Sequence, residues 1–229
     1  MPEESTREPQ YNNCLEIRDR IGFARLGLMA NQVWYDDPRR MAFLMARYKF
    51  VAKMLSGRGK IAEVGCADAF CTRIVLQEVD HVTVFDFDPI FIDDVRAQMN
   101  ARWPLEAIVH DILEGPLPGR FDGIYSLDVL EHIHQKREDL YLTNLKRSLT
   151  EHGVVIVGSP SLESQAYASS VSKAGHVNCK SGQDMKAMLQ RHFHTVFLFS
   201  MNDEVVHTGF YAMAHYLFAL CCEAKRDRA

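Results

Sequence analysis

The chain is 229 residues long, near the upper end of what one hydrophobic core supports. Hydrophobic residues make up 47% and charged residues 24%, an ordinary globular balance, and a formal net charge of -4 gives no electrostatic footprint for nucleic acid. No apolar run reaches the ~18 residues a membrane span needs; the polar start MPEESTREPQ has no apolar signal region; and six scattered cysteines without a CxxC pair read as reduced thiols. A cytoplasmic protein with no membrane partner is expected, and a nucleic-acid partner is disfavoured.

Residues 1–13 read as a disordered lead and 14–57 as an N-terminal helical cap. Within the cap, Met41, Leu44, Met45, Tyr48, Val51, Ala52 and Leu55 recur at helical steps. Asp36, Asp37 and Pro38 mark the start of that helix and SGRG at 56–59 its end.

From residue 58 to 229 the pattern alternates between strand and helix. KIAEVGC (60–66), HVTVFDF (81–87), LEAIVHD (105–111), FDGIYSLD (121–128) and HGVVIVGSP (152–160) read as strands. Helical periods at 70–78, 90–99 and 137–149 separate them, which implies a mainly parallel sheet covered on both faces. TVFLFS (195–200) and YLFALCC (216–222) follow without a crossover helix, which predicts an antiparallel edge hairpin. The expected fold class is α/β: one domain, a Rossmann-like three-layer sandwich with a seven-stranded, mostly parallel sheet.

Ligands of such sheets bind outside the carboxyl ends of the strands. The first strand ends Glu63-Val64-Gly65-Cys66-Ala67, and Gly65 lets the backbone approach a ligand closely. Asp86 closes the second strand 21 residues later, where an acid can hold both hydroxyls of a ribose. Asp111 and Leu127 mark the third and fourth ends.

The row IAEVGCADAF, VTVFDFDP, VHDILEGPLPGRFDGIYSLDVLEHI and HGVVIVGSPS resembles the class I S-adenosylmethionine-dependent methyltransferases, in the branch with the ubiquinone-biosynthesis O-methyltransferases. The resemblance covers roughly residues 60–200. It implies that Gly65, Cys66 and Ala67 contact the methionyl portion of S-adenosyl-L-methionine and that Glu63 organises their turn. Asp86 would hold the ribose, Phe87 would pack near the adenine, Asp111 would accept the adenine amino group, and Ile112 and Leu127 would offer backbone contacts. Ala67 and Ala69 stand where the family's G-x-G-x-G turn has its second and third glycines, so either the turn is slightly altered or those positions do not need glycine's positive φ.

Methyl transfer needs alignment and water exclusion, and sometimes a base or a metal to remove a proton from the acceptor. Asp128, Glu131 and His132 fall on one side if the segment is helical. His176 follows the fifth strand and reaches the same sheet edge. Carboxylates and imidazoles suit a divalent ion, and this set resembles the E-x-x-E-H plus distant His site of the small-RNA 2′-O-methyltransferases, with Asp in place of the first Glu. Without a metal, His132 or His176 is the candidate base. His207 is a second-rank acceptor contact. Asn31, Trp34, Tyr35, Arg47 and Tyr48 are candidates for the acceptor pocket, with Tyr48 favoured as core and Arg47 expected on the surface.

The function expected is methyl transfer to an oxygen or nitrogen of a small polar metabolite. An RNA 2′-O-methyltransferase-like enzyme and a non-catalytic S-adenosylmethionine-binding protein are the alternatives. A nicotinamide oxidoreductase is disfavoured by the missing G-x-G-x-x-G.

Overall fold

Eight strands form one sheet in the order β3-β2-β1-β4-β5-β8-β6-β7. The structure, a computed structural model, describes residues 4–226. The strands are β1 (Lys60–Val64), β2 (His81–Asp86), β3 (Glu106–Val109), β4 (Phe121–Leu127), β5 (Leu149–Pro160), β6 (Phe193–Asn202), β7 (Val205–His207) and β8 (Tyr216–Ala224). The first five pair in parallel. β8 inserts antiparallel between β5 and β6, and β7 folds back on β6 at the edge. This short β7 is the one strand beyond the seven expected.

The helices are α1 (Asn12–Ile21), α2 (Leu28–Asp36), α3 (Arg39–Leu55), α4 (Thr72–Val75), α5 (Pro89–Gln98), α6 (Glu138–Arg147), α7 (Ser170–Gly175) and α8 (Gly182–Gln190). Strand alternation sends neighbouring side chains to opposite layers. Ile61 and Ile156 pack toward α3, α4 and α5, whereas Ala62, Val155 and Val157 pack toward α6 and α8. Two apolar layers explain why the strands read as unbroken valine and isoleucine runs.

The lead is shorter than expected. Pro9–Tyr11 form a 3-10 turn and α1 begins at Asn12, whose side-chain oxygen accepts from the Thr6 amide at 2.9 Å. Met1–Glu3 lie outside the described residues. α1 buries no residue, while α2 and α3 share a small apolar core of Ala30, Val33 and Met41. No helix among the described residues is long and apolar enough to cross a membrane.

Candidate active site

The strand order reverses between β1 and β4, the switch point at which open parallel sheets form a ligand crevice. The turn after β1 lines that crevice. Gly65 has φ 76°, and an added Cβ would stand 2.2 Å from Cγ2 of Val129, so this position excludes any side chain. Ala67 and Ala69 also adopt left-handed backbone, with φ of 46° and 49°. Alanines thus keep the conformation for which glycine is the usual residue, at a cost of roughly 1–2 kcal/mol each. Of the two expectations, that these positions do not need a left-handed backbone fails: both alanines adopt it.

Asp86, at the tip of β2, accepts from the Ala67 amide at 2.9 Å and from the Asp88 amide at 3.0 Å. Each oxygen retains a lone pair for a ligand hydroxyl. Burial pushes the Asp86 carboxyl above its usual range. The neighbouring Phe87 ring is 71% exposed, an apolar plate beside the acid. Asp111 is half-buried beyond β3 and accepts from the Leu113 amide at 2.8 Å. The Ile112 side chain and Leu127 are buried, and the Ile112 carbonyl accepts from Asn144 at 2.7 Å. The Cys66 thiol is buried, and that burial raises its pKa.

Glu63 points away from the crevice into the α3 layer. Its carboxylate accepts from the hydroxyls of Tyr48, Thr72 and Tyr125 at 2.5, 2.5 and 2.7 Å. Burial pushes it up to about 7, against the opposing pull of those three donors. It ties α3, β4 and the start of α4 to β1. Tyr48 is therefore core.

Glu131, His132 and His176 each offer a ligand atom within 4.8 Å of the others. His132 and His176 stack edge to face at 5.3 Å. The Nδ1–H of His132 donates to the Gly175 carbonyl at 3.0 Å, and that of His176 to Oε1 of Gln165 at 2.8 Å. Gln165 is held in this orientation because its Nε2 donates to the Ser161 carbonyl at 3.2 Å. Both acceptors fix the Nδ1–H tautomer, so both Nε2 atoms carry free lone pairs. Burial and the adjacent His132 lower the His176 pKa, which favours the neutral ligand form. Glu131 is 1% exposed and its Oε2 has no hydrogen-bond partner. Burial, and then the charge of Asp128, raise its pKa.

Asp128 does not join this trio. Its φ of 56° breaks the phase assumed for a helix from residue 128, and the following turn is a 3-10 segment, Leu130–His132. The carboxylate instead accepts from Nη1 of Arg47 at 2.7 and 3.0 Å. The Arg47 guanidinium lies 3.8 Å from the Tyr216 ring centroid, so Arg47 is a packed ion-pair residue and not a surface one. Asn31, Trp34 and Tyr35 are exposed. The ring nitrogens of His207 are occupied locally, with Nε2 against Asn202 Oδ1 and Nδ1 accepting from the Gly209 amide, both at 2.9 Å.

Sequence reasoning missed the partners that orient these groups: Gln165, the Gly175 carbonyl, Tyr216 and Asp68. Asp68, in the turn after β1, accepts from the Ala30 amide at 2.6 Å and so anchors α2 to the crevice. No local pattern marks such contacts.

A reversed parallel sheet with an acid at the tip of β2, a left-handed turn after β1 and β8 inserted antiparallel is the architecture of the class I methyltransferase fold. Residues 61–153 match the family described as a methyltransferase domain. The mitochondrial ubiquinone biosynthesis O-methyltransferase of Schizosaccharomyces pombe is 25% identical over 180 residues, which is 73% of this chain and 64% of that protein. The chain thus spans just under two thirds of that relative's length.

Among solved structures, N-methyltransferase NodS from Bradyrhizobium japonicum WM9, in complex with S-adenosyl-L-homocysteine, is 19% identical with a TM-score of 0.59, covering 83% of this chain and 90% of its own. A TehB-like methyltransferase from Corynebacterium glutamicum is 19% identical with a TM-score of 0.60, covering 85% and 97%. These likenesses support the fold.

Proposed function

We propose that the chain transfers the methyl group of S-adenosyl-L-methionine to an oxygen or nitrogen of a small polar acceptor, with a divalent ion held by Glu131, His132 and His176. The observation that carries this reading is adjacency along the chain. The tip of β4, at the switch point beside the Gly65 turn, leads within four residues to Glu131, a buried carboxylate whose Oε2 has no hydrogen-bond partner, in reach of two oriented imidazoles.

The residues fit the cofactor. The Gly65–Ala67 turn receives the methionyl end, Asp86 the ribose hydroxyls, Phe87 and Asp111 the adenine, and the backbones of Ile112 and Leu127 border the site. Glu63, with its three donors, keeps the turn and α3 in register. When bound, the sulfonium cofactor supplies an already activated methyl group, and the ion supplies Lewis acidity toward an acceptor oxygen. The protein's own work is alignment and exclusion of water. His132 and His176 present Nε2 lone pairs, and either can take the acceptor proton where no ion is bound.

Calorimetry with S-adenosyl-L-homocysteine and a Co²⁺ titration followed by visible absorption test the two parts. Saturable binding of both is expected. Failure of S-adenosyl-L-homocysteine to bind removes the enzyme reading, and failure of Co²⁺ to bind removes the ion. Binding without turnover of any acceptor in a labelled-methyl screen favours a non-catalytic binding protein. The net charge of -4 counts against an RNA acceptor.

A further inference from the structure

Beside the trio lies a second group of unsatisfied polar atoms. Nε of Arg47 and the hydroxyl of Tyr216 are buried without a hydrogen-bond partner, and so is Nε2 of the adjacent His215. Arg47 and Tyr216 are in direct contact, and Arg47 pairs with Asp128 at the tip of β4. An unsatisfied buried donor costs about 1–3 kcal/mol, and several in one place call for a partner, a ligand or ordered water.

The geometry of the arginine indicates which ligand. Both hydrogen bonds to Asp128 run from Nη1. The opposite edge, Nε and Nη2, has no hydrogen bond among the described residues. That edge is the fork that matches two oxygens on one atom, as in a carboxylate or a phosphonate. Tyr216, whose ring lies against the guanidinium, adds a hydroxyl without a partner. A neutral hydroxyl would use only one arm of the fork.

We propose that Arg47 and Tyr216 form an oxyanion anchor, so that the acceptor carries a carboxylate or phosph(on)ate group in addition to the atom that is methylated. This rests on the methyltransferase reading of the same crevice. Arg47 is then a specificity-determining residue, held by Asp128 on one edge and by the Tyr216 ring on its face.

The test uses the full chain saturated with S-adenosyl-L-homocysteine, whose binding is first established by calorimetry. The ¹⁵N–¹H resonance of Arg47 Nε, assigned through its loss in Arg47→Lys, is followed during titration with benzoate, phenylphosphonate and, as the neutral control, benzamide. A saturable shift with either oxyanion and none with benzamide is expected, and the stronger of the two names the group. Tyr216→Phe keeps the ring under Arg47 and should weaken oxyanion binding about 3–10-fold without changing S-adenosyl-L-homocysteine affinity. No saturable shift with either oxyanion, or an equal shift with benzamide, overturns the anchor and leaves water as the partner of these atoms. Failure of S-adenosyl-L-homocysteine to bind overturns the methyltransferase reading instead.

Discussion

Arg47 on α3 and Asp128 at the tip of β4 form an ion pair at 2.7 Å between positions 81 residues apart. It joins the helical cap to the sheet edge formed by the carboxyl ends of the parallel strands. The side chains are 17% and 35% exposed, so the pair is only partly shielded. A fully buried pair broken on one side costs about 3–5 kcal/mol, and solvent screening at Asp128 reduces this. A double-mutant cycle with Arg47→Met and Asp128→Asn should give a coupling of about 1–3 kcal/mol in urea unfolding. Additive effects would mean that the cap is held by apolar packing alone.

Gly65 is the position at which one methyl group does most damage. Its φ of 76° strains any side chain, and Val129 Cγ2 would lie 2.2 Å from a Cβ. Gly65→Ala should destabilise by more than about 2 kcal/mol and weaken S-adenosyl-L-homocysteine binding at least tenfold. Adding Val129→Ala removes the overlap but not the backbone strain, so it should restore only part of both losses. Full restoration would show that φ is immaterial there.

The two alanines of the same turn should respond differently to glycine. Ala67 is half-buried, so Ala67→Gly mainly relieves strain and should stabilise by about 0.5–1 kcal/mol. Ala69 is 6% exposed, and loss of its methyl costs about 0.8 kcal/mol of burial, which offsets the relief. Ala69→Gly should therefore be close to neutral. Melting temperatures of the two variants decide this, and equal shifts would contradict the burial argument.

Stability should depend on the Glu63 proton. Its folded pKa is pushed up to about 7 from 4.5, mainly by burial. Between these values the native state holds a proton that the unfolded chain has lost, so stability falls as pH rises through this window. The slope from this one group is at most about 1.4 kcal/mol per pH unit. Glu131, raised in the same direction, adds a contribution of the same sign. Glu63→Gln should flatten the profile and leave the Glu131 part. An unchanged slope between pH 5 and 7, on the order of the window cited, would show that Glu63 is already ionised in the fold.

Gln165→Leu removes the acceptor that holds His176 Nδ1 at 2.8 Å but touches no other member of the trio. Co²⁺ affinity should fall about 10–100-fold, with S-adenosyl-L-homocysteine affinity unchanged. Equal Co²⁺ affinity in the variant would separate His176 from the ion.

The elements were legible wherever a local period encodes them. Seven of the eight strands appear as apolar runs because burial on both faces demands apolar residues at successive positions. The three-residue β7 carries no such run. The tips of those runs place Gly65, Asp86, Asp111 and Leu127 along one edge of the sheet, because parallel strands in register end together.

What the sequence could not determine is how side chains from distant segments meet. Spacing alone grouped Asp128 with Glu131 and His132, but a left-handed residue at 128 turned it toward Arg47. Spacing expected an exposed Arg47, but the docking of α3 on β8 laid it against Tyr216. His132 and His176 gained fixed tautomers only from a carbonyl and an amide, Gly175 and Gln165, brought beside them by α7 and the segment before it. Hydrophobic period is a one-dimensional property and survives in the chain; backbone handedness at a single residue and contacts across 81 positions are properties of the packed solid, and only the tertiary structure sets them.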